Sequence, residues 1–499
     1  MKRKISLILS IFLLLQLCAC MAKGPEPAAE GENTIVEISR GEADGDVNKL
    51  AASAVAYTDS FKSADGTVEI EIALKDPELL EAGFGPVRVR PRAITGEEAE
   101  HIARVLFGDA EMLDYLFCRE YTKAELEEQR ALWQELLAGD GLVKLYGDDE
   151  AGRHMAENTA QTIEAFLKSK TPDKAPESIE RTACDFTFEK ADKEECYEIR
   201  SVTEKDGIPY YFGAVNNTEG GIGVYHVSAY LSTEYNTPNN MGVHMLLDSL
   251  LSEEEPTVQQ LEAAREKAKE LIEQLDIGQW QIDQCSSRIA FGLGSRELKT
   301  ITVTAVPLYN NIPVLRQPQL DNMKSEEEGA QSCYYQDLRF EFAPDGTLIS
   351  FDYYTPMDII EDSGYDARTL SFSELMGSVK AFLSQTTAAQ YPRPEGSNGT
   401  LEADVVISGI QLGLTRQAIA GSGDYLLVPS VSVYGNYQTT YEKDGQTFSF
   451  NYKEEKGQDL LLMTFDAANG ASFVPGNNGL LLGLASAGLK KQPGPMRKE

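Results

Sequence analysis

The side chains able to do chemistry are thinly spread. Beyond residue 20 the cysteines are Cys118, Cys184, Cys196, Cys285 and Cys333, an odd number that cannot all pair internally. Cys184 and Cys196 flank the polar stretch 190–195. A hairpin there would set the two thiols face to face and allow a disulfide outside the cytoplasm. No Cys-x-x-Cys occurs among these later cysteines, so neither a zinc site nor a redox pair is expected. The histidines are His101, His154, His226 and His244. Glu98 and His101 share one face of an expected helix, as do His154 and Glu157. Acid-rich helices generate this spacing freely, and a metal site needs further ligands from other helices. His226 falls on the polar side of an expected strand, and His244 lies in a Met/Leu stretch that reads as packing. There is no His-Glu-x-x-His, Gly-x-Ser-x-Gly or phosphate loop, so no catalytic residue is assigned. A carboxylate pair for glycan hydrolysis is a spatial quantity that 79 acids cannot reveal in sequence. Several of the 22 tyrosines sit on strand patterns, among them Tyr210, Tyr211, Tyr225, Tyr230, Tyr353 and Tyr354. Tyrosine joins broad contact area to a polar tip, which suits a binding surface as well as a half-buried strand.

One more thiol stands apart. Lys2, Arg3 and Lys4 precede an apolar run from Ile5 to Leu17, then Leu17-Cys18-Ala19-Cys20. The run is shorter than the ~20 residues of a spanning helix and has the length of a signal-peptide core. An aliphatic residue, two small ones and a cysteine resemble the lipobox of bacterial lipoproteins. That resemblance implies a leader over residues 1–19, lipidation of Cys20, and a protein held at the extracytoplasmic face of the cell membrane. Residues 20–34, rich in Gly, Pro, Ala and Glu, follow as a flexible spacer.

The net charge of −34 argues against nucleic acid, whose phosphates need Lys and Arg, and against lying flat on anionic lipid. Asp44-Gly45-Asp46-Val47-Asn48 approaches a calcium loop but lacks the later bidentate Glu. No cofactor or metal is expected.

The remaining chain is patterned for an α+β fold of antiparallel meander sheets, each packed against helices. Val68, Ile70, Ile72 and Leu74 alternate as a strand does, and so do Val87-Arg88-Val89-Arg90. Thr95/Glu98 and Thr122/Glu125 read as capping boxes, and a helix over 153–168 turns Met155, Thr159, Ile163, Ala165 and Phe166 inward. A meander covers 184–233. A helix then starts at Pro256 with a stripe from Val258 to Leu275, followed by strands and a turn at Pro344-Asp345-Gly346. The order recurs: Ser371/Glu374 cap a helix, strands follow, and Asn469-Gly470 turns the last hairpin. This divides the chain into an N-terminal α+β domain at 35–250, helix-plus-meander modules at 251–366 and 367–485, and a polar tail at 486–499.

In the second half, Tyr425-Leu-Leu-Val-Pro and Leu462-Met-Thr-Phe-Asp-Ala-Ala-Asn-Gly-Ala resemble the closing part of PepSY-type or YycH/YycI-type modules of Gram-positive extracytoplasmic lipoproteins and membrane regulators. The resemblance covers at best residues 256–476. It implies an envelope protein or peptide partner, and regulation rather than catalysis; it brings no catalytic residues. The expected function is therefore a non-enzymatic binding or regulatory lipoprotein of the envelope, with a hydrolase of glycan or peptide as the alternative.

Overall fold

The computed structural model describes residues 56–473 except 75–84, 116–120, 147–149, 181, 192–194, 219–221, 233–240, 293–295, 316–331, 334–335, 363–369, 387, 389–400, 420–421, 444–445, 453–459, 468–469 and 471. Cys20, the spacer at 20–34, Asp44–Asn48, Cys118 and the tail at 486–499 lie outside the described residues.

The fold is α+β, with two antiparallel-rich sheets. The larger sheet runs through Trp280–Phe291, Glu297–Tyr309, Asp337–Phe342, Leu348–Tyr354, Ile222–Leu231, Ile208–Asn217 and Cys196–Lys205, beyond which the short strands Leu113–Asp114 and Glu189–Lys190 pair. Every pairing in that series is antiparallel. Alternation sends Phe212, Val227, Ala229, Val303, Phe340 and Phe351 to one face, where they are fully or almost fully buried. Burying each of the larger side chains contributes about 1.5–3 kcal/mol. Two helices cover that face. Gly96–Phe107 contributes Ala99, Ile102, Ala103 and Leu106; Val258–Leu275 contributes Ala264, Ala268, Ile272 and Leu275. Small residues on the second helix let its axis lie close to the aromatic layer. That helix begins two residues later than the sequence suggests, with Thr257 and Gln260 forming a capping box, and Val258 stands 76% exposed rather than in the stripe.

The smaller sheet is built around the long hairpin Leu401–Ala418 and Tyr425–Lys443. Val68–Leu74 adds in parallel beside the first strand, and Tyr57–Lys62 closes that edge. The other edge of Tyr425–Lys443 is shared in succession by Val87–Pro91, Leu460–Asp466 and Gln446–Tyr452. Helix Phe372–Leu383, capped by Ser371 and Glu374, packs Leu375, Met376, Val379 and Leu383 on its inner face.

These pairings correct the expected division of the chain. The 250/251 boundary cuts the larger sheet, because Ile222–Leu231 pairs with Leu348–Tyr354. The 366/367 boundary cuts the smaller one, because strands near residue 70 need partners beyond residue 400. The larger sheet and its helices instead form an insertion in the smaller one. The chain leaves at Arg92 and returns at Pro356, which are joined by an Arg92 N–H to Pro356 carbonyl bond of 2.9 Å. The twice-repeated helix and meander is thus not a tandem of equal modules, since element order does not reveal which strands pair.

The two sheets meet at an apolar cluster of Val87, Val89, Leu414, Tyr425 and Leu427 with Tyr309, Ile312 and Val314. Leu315 N–H donates to the Leu414 carbonyl at 2.8 Å. Three helices, Lys123–Leu137, Gly141–Tyr146 and Glu150–Ser169, make a satellite core around Trp133, Leu142, Ala156 and Ile163. There Met155 is exposed, and so is Ala165, against the inward positions expected for both.

Candidate functional site

Helices cover one face of the larger sheet, and alternation delivers the polar residues to the other. Cross-strand registers place those residues in rows running across the strands. One row is Asp337, Tyr354 and His226; the next is Thr304, Arg339, Asp352, Ser228, Gly213 and Arg200; the third is Thr302, Glu341, Ser350, Tyr230 and Tyr211.

In the first row the His226 ring lies parallel to Tyr354, with centroids 3.9 Å apart and planes 3° apart. Its Nε2 bonds Asp352 Oδ1 at 2.9 Å, and the two side chains keep 18% and 23% of their exposure. In the third row Tyr211 and Tyr230 stack at 4.9 Å, and Tyr115 meets Tyr211 edge-on at 5.4 Å. Gly213 makes the Tyr211 position available. A Cβ there would lie 2.8 Å from the Tyr211 ring, so the ring leans over the bare backbone. Burial raises the Tyr211 phenol well above its ordinary value, with the neighbouring Tyr230 adding to the effect, so it stays a hydrogen-bond donor. Tyr230 remains 45% exposed. Arg200 pairs with Glu198 at the far end of the middle row.

Some polar atoms of this sheet are sealed from solvent without a partner among the described residues. Thr302 and Thr304 are 3% and 1% exposed, and neither hydroxyl has a partner among the described residues; the same holds for Arg339 Nε. Glu341, between them, is occupied by Thr300 Oγ1 at 2.6 Å and Ser350 Oγ at 3.1 Å.

Among the described residues this face shows no nucleophile–base pair. Ser228 is directly opposite Asp352, two residues from His226, yet no hydrogen bond joins it to His226 among the described residues. The backbone N–H groups of these strands are engaged in the ladder, leaving no evident oxyanion cradle in the sheet interior.

The other candidates come out as follows. Cys184 and Cys196 are thiols rather than a disulfide. The hairpin between them exists, but its register sets Ala191 against Cys196, while Cys184 lies further back and its N–H donates to the Met112 carbonyl. Glu98 turns away from His101 to hold Arg92 at 2.7 Å, and His101 Nε2 lies 3.1 Å from the Gln274 carbonyl. His154 pairs with Asn158 at 3.1 Å. His244 sits on helix Met241–Leu250, its Nδ1 2.7 Å from the Phe291 carbonyl. Among the described residues no group of three or more His, Cys, Asp or Glu is placed to hold a metal ion.

Sequence reasoning found His226 on a polar strand face and the strand tyrosines, but it did not separate Tyr210 and Tyr353, which are buried in the core, from Tyr211 and Tyr354. Parity within each strand carried that signal. The burial of Thr302 and Thr304 was not foreseen, because it depends on what packs around the strand rather than on its own sequence. No family model, no curated protein and no solved structure matches this chain.

Proposed function

We propose that this protein is an extracytoplasmic lipoprotein, anchored through Cys20, whose work is to bind rather than to transform a partner. The observation that carries the reading is the face of the larger sheet opposite its two helices, where two stacked aromatic pairs lie and Tyr230 stands 45% exposed. The opposite face is sealed by two helices, so the rigid core serves as a platform for this one. The leader pattern ending in Cys20 supports the location, and no helix among the described residues is long and apolar enough to cross a membrane. The resemblance of the second half to PepSY-type and YycH/YycI-type modules agrees with binding or regulation.

Metabolic labelling with an alkyne palmitate, followed by click detection, tests the anchor: signal on the chain and its loss in Cys20→Ala are expected. A photo-crosslinking residue at Tyr230 tests the face. A defined adduct from growing cells is expected there and not from Val258, which is exposed on the far side. Equal yields at both positions would defeat the assignment.

A further inference from the structure

We propose that residues 480–487 of this chain dock as an added strand on the smaller sheet, along the outer edge of Gln446–Tyr452. Three strands lie in line along one side of Tyr425–Lys443: Val87–Pro91, Leu460–Asp466 and Gln446–Tyr452. Met357–Asp362 pairs outside the first and Ser472–Phe473 outside the second. Among the described residues no strand pairs outside the third. That edge also lacks the usual protection. Native sheets blunt an open edge with charge, proline or a bulge. At the opposite edge of the sheet, Tyr57–Lys62 carries Asp59 and Lys62, ion-paired to Lys380 and Glu69. Gln446–Tyr452 has neither charge nor proline, and its ladder is regular. Phe448 and Phe450 stack on Tyr441, with centroids 5.3 and 5.8 Å away, yet stay 37% and 40% exposed. Tyr441 itself belongs to the buried core. The apolar layer of the sheet thus runs out to this edge and stops there uncovered.

The course of the chain names the occupant. Phe473 faces Thr464 in an antiparallel pair. It is therefore headed past Leu460 and toward Tyr452, because both inner strands run the same way along Tyr425–Lys443. Thr464 is level with Ser432 and Tyr452 with Tyr437, about 17 Å further on at the rise of a strand. Residues 474–479 span about 20 Å when extended, so Leu480 can arrive where the uncovered edge begins. From there Leu480-Leu481-Leu482-Gly483-Leu484-Ala485 runs antiparallel to Gln446–Tyr452. It matches the edge in being uncharged: no charged residue stands between Asp466 and Lys490, in a chain that is 25% charged. With leucine at 480, 481 and 482, at least one meets Phe448 or Phe450 on the apolar side in either register. Tethering so close to the edge gives the segment a high effective concentration there. A second copy is the less favoured occupant. Each chain carries a net charge of −34, and a strand of 7 residues buries far less than the about 1,200 Å² of a stable interface.

The test compares amide hydrogen exchange of the full chain, in mild detergent, with that of a chain ending at Phe473. Amides of Gln446–Tyr452 that point away from Tyr425–Lys443 should exchange about tenfold faster in the shortened chain, while Val68–Leu74 stays protected and reports an intact sheet. A synthetic peptide of residues 477–491 should restore the slow exchange. Equal exchange in the two chains overturns the inference, and so does a peptide without effect. If shortening loosens Val68–Leu74 as well, a photo-crosslinking benzoylphenylalanine in place of Phe450 in the full chain decides. An adduct to residues 478–485 of the same molecule upholds the docking. An adduct only to a second copy or to another protein, or none at all, overturns it.

Discussion

Asp424 shows how much can rest on one side chain. It is 1% exposed and immediately precedes Tyr425. Arg88 and Arg90, alternate residues of Val87–Pro91, both close on it, Arg88 Nε at 2.8 Å and Arg90 Nε at 2.5 Å. The clamp fixes the strand that leads into the inserted domain. Burial alone would raise the Asp424 carboxyl; hydrogen bonds from Arg90 and Arg88 outweigh it and hold the group below the usual carboxylate range. A carboxylate with a lowered folded-state pKa stabilises the protein above its ordinary value of about 3.9, and this contribution is lost as pH falls through the folded value. Asp424→Asn is therefore expected to lose stability at pH 7 and to show a shallower decline below about pH 4, read from urea unfolding at each pH. Asp424→Ala should cost about 3 kcal/mol at pH 7, since it leaves the Arg88 charge buried without its partner. The thiols give an opposite expectation. Cys184 and Cys196 are not joined, and burial raises the Cys184 thiol, so reductant should leave the melting temperature unchanged and Cys184 should alkylate slowly in the native state. A drop of several degrees on reduction would restore the disulfide.

Among the elements, the hairpin strand Leu401–Ala418 of the smaller sheet is bridged to the inserted domain at Leu414. Gly413 lies where the inserted domain presses on it: a Cβ there would fall 2.5 Å from the Pro313 carbonyl oxygen and 2.6 Å from Leu315 Cδ2. The backbone oxygen cannot swing aside as a side chain can. Gly413→Ala should thus cost about 1–3 kcal/mol and speed hydrogen exchange at Leu315, whose N–H bonds Leu414. An unchanged exchange rate at Leu315 would mean that the contact is not a close one. Local elements of this kind were legible in the sequence where the signal was itself local. Alternation gave Val68–Leu74, and the caps at Thr122 and Ser371 formed as complete boxes. Thr95 made only half of its box, because Glu98 is drawn instead to Arg92, six residues before it. Helix Met241–Leu250 escaped notice because its Met/Leu run has no clear polar side. The candidate site was legible as single residues, His226 and the tyrosines, but not as rows across the sheet. Its rows join residues more than a hundred positions apart, such as Tyr230 and Ser350, and only the register brings them together.

At the scale of the whole molecule, the larger sheet and its helices interrupt the smaller sheet, and the chemistry of the two connections makes a strong forecast. Arg92 and Pro356 are hydrogen-bonded neighbours, and just outside them Pro91 faces Met357 in an antiparallel pair. A domain whose ends meet can be removed without stretching what remains. Residues 92–356 keep every long strand of the larger sheet and both covering helices, so this fragment should fold alone, with a single cooperative urea transition. Its cost is exposure of Tyr309, Ile312 and Val314, which the smaller sheet covers, so its midpoint should lie below that of the full chain. The complementary protein, with 92–356 replaced by Asn-Gly, should close Val87–Pro91 onto Met357–Asp362 as a tight hairpin and retain the smaller sheet. Fragments cut at 250/251 or 366/367 divide a sheet and strand hydrophobic edges such as Val68–Leu74; they should aggregate or unfold without cooperativity. Cooperative folding of 367–485 on its own, with 92–356 unfolded, would reverse this picture. It would mean that the helix-then-meander order, rather than the pairing across the chain, governs how the protein is built.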